Sequence, residues 1–174
     1  MKRRLKLIII ATALIALGAL AAWIVTRVPF DQQPPAVGTK APQLHLADLS
    51  GSMVNLDDHL GGVVLINFWA NWCPPCKDEL QWFDSVYADY RDRGLEIVAI
   101  SIEDLPVDVA MGLTLSYPVA VANQRVLQAY GDVSGVPVSF LVGRDGRIIR
   151  KVSRAWPEKD LRKALDEALA ENRL

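Results

Sequence analysis

The sequence predicts an α/β domain built on one central mixed β-sheet flanked by helices and preceded by a single N-terminal transmembrane helix. Three observations carry that reading. An uncharged run, Leu7 to Val25, follows a basic flank at the start of the chain. Short apolar runs then alternate with amphipathic ones, the pattern of βαβ units whose parallel strands are buried on both faces. Later, two apolar runs flank Arg144-Asp145-Gly146, and an Asp-Gly step in that setting is a strong hairpin signal.

Between Leu7 and Val25 no side chain is charged and Thr12 alone carries a hydroxyl. A helix rising about 1.5 Å per residue over that run covers a bilayer core of roughly 30 Å. The run is also longer than the roughly 7–15 residues of a signal-peptide apolar region. Lys2, Arg3, Arg4 and Lys6 would stay cytoplasmic by the positive-inside rule, which sends the rest of the chain across. The expectation is a single-pass protein of the cell inner membrane, with residues 1–27 as signal-anchor and the C-terminal domain in the periplasm or another extracytoplasmic space. A cleavable signal is the alternative, because Ala19-Leu20-Ala21 resembles a small-x-small cleavage site. Trp23-Ile24-Val25 favours the uncleaved anchor, since it extends the apolar run past that site.

The whole-chain charge of −1 conceals an asymmetry. Five of the 19 bases and no acid lie in residues 1–27, which leaves 14 bases against 20 acids, a net −6, in the remainder. An acidic body without a basic stripe is repelled by phosphate backbones, so nucleic acid is excluded as a partner.

Residues 28–41 contain Pro29, Pro34, Pro35 and Gly38 without apolar periodicity and read as an extended linker; residues 42–174 form the domain. Its first strong strand is Val63 to Trp69, followed by a helix from about Pro74 to Arg93 and a strand from Leu95 to Ile100. A short helical candidate near Val107 to Met111, a strand at Val119 to Ala122 and a helix from Gln124 to Tyr130 come next. Pro137 to Val142 and Arg147 to Val152 form the hairpin. Leu161, Leu165 and Leu169, four apart among charges, make Glu158 to Leu169 an amphipathic helix covering the sheet.

Cys73 and Cys76 are the only cysteines, so any intramolecular disulfide joins them. Closing so short a loop stabilises by only about 2 kcal/mol, against about 3 for fifteen residues, which makes a purely structural staple a poor use. The chemical use is stronger. Cys73 stands at the mouth of the predicted helix and Cys76 one turn in, so both sulfurs fall on one side. Free amides and the partial positive charge of a helix N-terminus stabilise a thiolate, which makes Cys73 the attacking group. Cys76 is placed to resolve the resulting mixed disulfide. Pro74 and Pro75 are tolerated because first-turn amides have no intrahelical partner. A closed zinc site needs four ligands, and the only histidines, His45 and His59, lie well before the pair, so no metal is expected. A copper-delivery site usually takes a wider cysteine spacing and a later histidine.

The segment Asn67-Phe68-Trp69-Ala70-Asn71-Trp72-Cys73-Pro74-Pro75-Cys76-Lys77-Asp78-Glu79-Leu80 resembles the active site of the membrane-tethered TlpA/ResA/DsbE (CcmG) branch of thioredoxin-like proteins. The resemblance runs back through Leu46 to Gly51 and forward through Tyr130-Gly131, Gly135-Val136-Pro137 and Asp145-Gly146, covering roughly Val37 to Leu169. It implies a thioredoxin-like fold and a thiol-disulfide oxidoreductase with no cofactor beyond the Cys73–Cys76 disulfide. Pro137, which spacing alone leaves as an ordinary strand-start proline, takes the place of the family's cis-proline, with the Val136 backbone free to pair with substrate. Trp72 resembles the substrate-contact tryptophan. Glu79 falls where this branch has a carboxylate that tunes the cysteines or moves their protons; a solvated helix charge is its competing role. Asn67 replaces the buried acid of cytosolic thioredoxins. Trp69, Trp82, Phe83 and Tyr87 read as packing, and Lys77 as a solvated charge.

The function implied is reduction of disulfides in extracytoplasmic client proteins, apocytochrome c among them, with a membrane thiol donor restoring the pair. Motif and fold leave open a disulfide-introducing oxidase, because direction depends on reduction potential and partners. From other classes, a membrane-anchored metal-delivery or peptide-binding module and a peroxidase suggested by Leu46 to Leu60 remain as alternatives. The span Glu103 to Ser116 is shorter than the helical insert usual in the resembled family.

Overall fold

The computed structural model of the chain describes residues 3, 6, 12–20, 23, 34–105, 112, 114–131 and 133–170. The chain divides into two units, Met1–Gln32 and Gln33–Leu174. In the first, residues 12–20 and Trp23 are helical with exposed side chains. The rest of the expected span, Leu7 to Val25, lies outside the described residues, among which no helix is long and apolar enough to cross a membrane.

The second unit runs β1 (His45–Ala47), β2 (Met53–Asn55), β3 (Val63–Trp69), α1 (Pro74–Tyr90), β4 (Leu95–Ser101), β5 (Val119–Val121), α2 (Gln124–Tyr130), β6 (Val138–Val142), β7 (Ile148–Val152) and α3 (Glu158–Ala170). Five strands form one sheet in the order β5-β4-β3-β6-β7. β3, β4 and β5 are parallel; β6 is antiparallel to β3, and β7 to β6. The helical candidate at Val107 to Met111 falls outside the described residues.

The uninterrupted apolar stretch of β3 follows from its place at the centre of this sheet, where every one of its residues is buried. Successive side chains point to opposite faces. Val63, Leu65 and Trp69 join Ile97, Ala99 and Leu141 beneath Leu80 and Phe83 of α1 and Leu161 and Leu165 of α3. Val64, Ile66 and Phe68 meet Val98, Ile100, Phe140 and the α2 residues Val126 and Tyr130 on the other face. Asn67 belongs by the same alternation to the α1 face, and Ser139 lies opposite it on β6.

α1 buries Cys76, Glu79, Leu80, Phe83, Val86 and Tyr90, the three-and-four spacing of a single helical face. It ends three residues sooner than its sequence pattern suggests. Arg91–Arg93 tighten into a 3-10 turn and Gly94 takes a φ of 96°, the left-handed conformation that closes helices and suits glycine.

Of the expected linker, residues 28–33 lie outside the described residues; from Pro34 onward the chain turns at Val37–Thr39 and is seated on the domain. The Gly38 amide donates to the Ile148 carbonyl (2.7 Å), the Ile148 amide to Thr39 (2.9 Å) and the Ala41 amide to Gly146 (2.9 Å). The Arg147 guanidinium donates to the Gly38 carbonyl at 2.8 Å. Its neighbour β7 is an edge strand whose outer backbone groups need partners, and the linker supplies them at that strand's start. At Gly131, whose φ is +76°, a Cβ would stand 2.5 Å from Cβ of Pro34, so the close seat of the linker requires glycine there.

Candidate active site

β3 runs out at Trp69, and the chain turns through Ala70, Asn71 and Trp72 into Cys73, which caps α1. Its backbone is extended (φ −97°, ψ 100°), the usual conformation of a residue entering a helix, and its Sγ accepts the Cys76 amide at 3.3 Å. Pro74 and Pro75 fill the first helical positions. Cys73 and Cys76 are joined in a disulfide. The pair is tucked in, with Cys76 fully enclosed and Cys73 3% exposed, whereas the neighbouring Trp72 is 61% exposed.

The antiparallel pairing of β3 with β6 brings the end of one strand beside the start of the other, Phe68 opposite Val138. The residues just before β6 therefore meet those just after β3. Val136 O lies 3.8 Å from Cys73 Sγ, and the Val136–Pro137 peptide bond is cis. Trp72, Cys73, Cys76, Val136 and Pro137 thus share the end of the sheet where β3 finishes and β6 begins, although about sixty residues of chain separate the two groups.

Glu79 is not a solvated helix charge. It is 2% exposed, one turn below Cys76, and its Oε1 accepts the Trp156 backbone amide at 2.5 Å. Burial pushes its carboxyl up to about 7, against the opposing pull of the Trp156 amide and of Asn67. Asn67 Nδ2 donates to Ser139 Oγ at 3.0 Å, while Asn67 Oδ1 and Glu79 Oε2 have no partner among the described residues. Burial without a partner for Oε2 is what favours the neutral carboxyl. The titrating group of this layer is Glu79; Asn67 only solvates it. Lys77 is exposed, as its place on α1 suggested.

Three contributors escaped the sequence reading: the Trp156 amide, Ser139, and Glu103, whose Oε1 accepts the Asn71 amide at 2.7 Å. The first is a backbone group and carries no residue signal. The alternation of β6 against β3 could have placed Ser139 beside Asn67. Among the described residues no three His, Cys, Asp or Glu side chains gather as a metal site.

A sequence model described as the AhpC/TSA family matches residues 37–151. A thiol-disulfide oxidoreductase ResA of Geobacillus thermodenitrificans (strain NG80-2) is 31% identical over 157 residues, 88% of this chain and 90% of that protein. The chain belongs to the AhpC/TSA family, among its thiol-disulfide oxidoreductases. A further member, the ResA of Bacillus subtilis (strain 168), is 31% identical over 163 residues, covering 91% of this chain and 90% of its own length. Of solved structures, a DsbE-like thiol:disulfide interchange protein from Chlorobium tepidum is 29% identical, with a TM-score of 0.69 over 78% of this chain and 99% of that one. A second Chlorobium tepidum TLS structure, a thioredoxin family protein, has a TM-score of 0.69 over 80% and 99% of the two chains at 24% identity, and establishes the thioredoxin fold.

Proposed function

We propose that this oxidoreductase is a membrane-tethered, extracytoplasmic reductase of client-protein disulfides. The observation that carries the reading is the placement of Cys73 as the cap of α1, with Cys76 enclosed behind it and buried Glu79 one turn further on. In the reduced pair, the Cys73 thiolate attacks one sulfur of a client disulfide. A Cys73–client bond forms, the client S–S bond breaks, and the other client sulfur leaves as a thiolate. Cys76 gives its proton to ionised Glu79 and attacks Cys73 Sγ, which releases the second client thiolate and closes the Cys73–Cys76 disulfide. Two electrons pass to the client; one client thiolate takes the Cys76 proton by way of Glu79, and the other takes from solvent the proton that Cys73 released on ionising. A membrane thiol donor then returns two electrons and two protons to the pair.

The helix N-terminus favours thiolate at Cys73, Trp72 is open to a client, and the Val136 backbone beside Cys73 is placed to pair with an extended peptide. The uncharged run from Leu7 to Val25 behind a basic cluster supports an inner-membrane anchor with the domain outside the cytoplasm. The resemblance of the active-site segment suggests clients of the apocytochrome c type, whose C-x-x-C-H thiols must be reduced before haem attachment.

The test mixes the fully reduced chain, in detergent and without oxygen, with a peptide carrying an oxidised C-x-x-C-H motif, followed by acid quenching and alkylation. Mass spectrometry is expected to show two peptide thiols for each Cys73–Cys76 disulfide formed. A peptide that stays oxidised, or that is oxidised by the disulfide form of the chain, would overturn the reading.

A further inference from the structure

β3 and β4 are parallel and in register from Val63↔Leu95 to Trp69↔Ser101, so whatever follows β4 emerges beside whatever follows β3. The active-site turn and the segment after β4 are therefore neighbours. Two hydrogen bonds join them: the Ile102 amide donates to the Trp69 carbonyl (2.9 Å), and the Asn71 amide donates to Glu103 Oε1 (2.7 Å). The second ties a side chain from the segment after β4 to a backbone donor of the loop that carries the cysteine.

Glu103 is itself held in place. Fully buried Ser101 accepts the Glu103 amide at 3.3 Å and donates its hydroxyl to the Glu103 carbonyl at 2.7 Å. The Glu103 backbone is thus fixed from the sheet side, and its carboxylate reaches across to Asn71. The turn it grips is closed by the Cys73 amide on the Ala70 carbonyl (3.1 Å) and leads from exposed Trp72 into the nearly enclosed Cys73.

We infer that Glu103 is a positioning residue of the exchange reaction: its carboxylate fixes the Asn71–Trp72 turn, and through it the direction from which a client disulfide meets Cys73. The inference rests on the reading of Cys73 as nucleophile. Glu103 acts through Asn71 and need not touch the sulfur. Hydrogen bonds to ionised groups are among the stronger ones, and small displacements of reacting groups are costly in rate.

Glu103→Ala and Glu103→Gln in the full chain test this, with dithiothreitol-driven reduction of insulin disulfides as the activity probe. Glu103→Ala is expected to lower kcat/KM roughly tenfold, chiefly through KM, while Glu103→Gln, which keeps an acceptor for Asn71, recovers most of it. Hydrogen exchange at the Asn71 amide is expected to accelerate in Glu103→Ala and to stay protected in Glu103→Gln. An active wild type with unchanged kcat/KM in Glu103→Ala overturns the inference alone, whatever its melting temperature. Glu103→Gln as impaired as Glu103→Ala with Asn71 still protected shows a role for charge rather than position and also overturns it. A wild type inert toward insulin overturns the functional reading and the inference together.

Discussion

Replacing Cys76 by serine is expected to stop the reaction halfway, with Cys73 joined to its client in a mixed disulfide that persists on a non-reducing gel. The enclosed sulfur of Cys76, one helical turn behind Cys73, is the group placed to break that bond. Serine cannot do so, and turnover should fall on the order of a thousandfold or more, as it does when a nucleophile is removed from a catalytic unit. Cys73→Ser should lose turnover as severely and yield no mixed disulfide, because the remaining cysteine is shut inside the domain. Mass spectrometry of the trapped species distinguishes the two. Mixed disulfides through Cys76 in Cys73→Ser would reverse the assigned roles, and a Cys76→Ser chain that traps nothing would fit a module that merely holds its partner.

Glu79→Gln should produce two opposite effects. Burial holds the Glu79 carboxyl at about 7 in the folded chain, above its ordinary 4.5, so it is neutral below about pH 7 and ionised above. Only the ionised form takes a proton from Cys76, so oxidation of the wild-type pair by substrate should rise through pH 7. Glu79→Gln should lack that inflection and be roughly a hundredfold slower at pH 8, the scale of a lost general base. The stability effect has the other sign. A carboxyl raised above its unfolded value keeps its proton longer in the folded state, so stability is full below pH 4.5 and is lost as pH rises through 7. That loss is on the order of 3 kcal/mol. Glutamine keeps an acceptor for the Trp156 amide and never ionises, so Glu79→Gln should unfold at higher denaturant concentration than wild type at pH 8 and match it near pH 4. A variant that loses activity and stability together at pH 8 would contradict this account of Glu79.

What the sequence made legible follows a physical rule. β3 was readable because a central strand buries both faces and leaves an uninterrupted apolar stretch. α3 was readable because one face alone is covered, which spaces its leucines by four. The cysteine pair declared itself through residue type and spacing. Pro137 was ambiguous by spacing, since its meeting with Cys73 depends on antiparallel pairing between β3 and β6, a relation between distant segments. The end of α1 was misjudged by three residues because Arg91–Arg93 continue its pattern into a 3-10 turn that Gly94 closes. Helical spacing alone left Glu79 open between a surface charge and the carboxylate that the resemblance implied; what decides it includes a hydrogen bond from Trp156, 77 residues away, through a backbone amide that no residue type announces. The prolines of the linker gave no sign of its seat from Pro34 onward, which depends on the free edge of β7.

The central claim, that the pair delivers electrons rather than withdraws them, is tested most directly by the reduction potential of the Cys73–Cys76 couple. The full chain is equilibrated with glutathione mixtures of known ratio and its free thiols are counted. The account predicts a value near that of thioredoxin, about −270 mV, whereas a value near about −120 mV would contradict it and make the chain a disulfide-introducing oxidase.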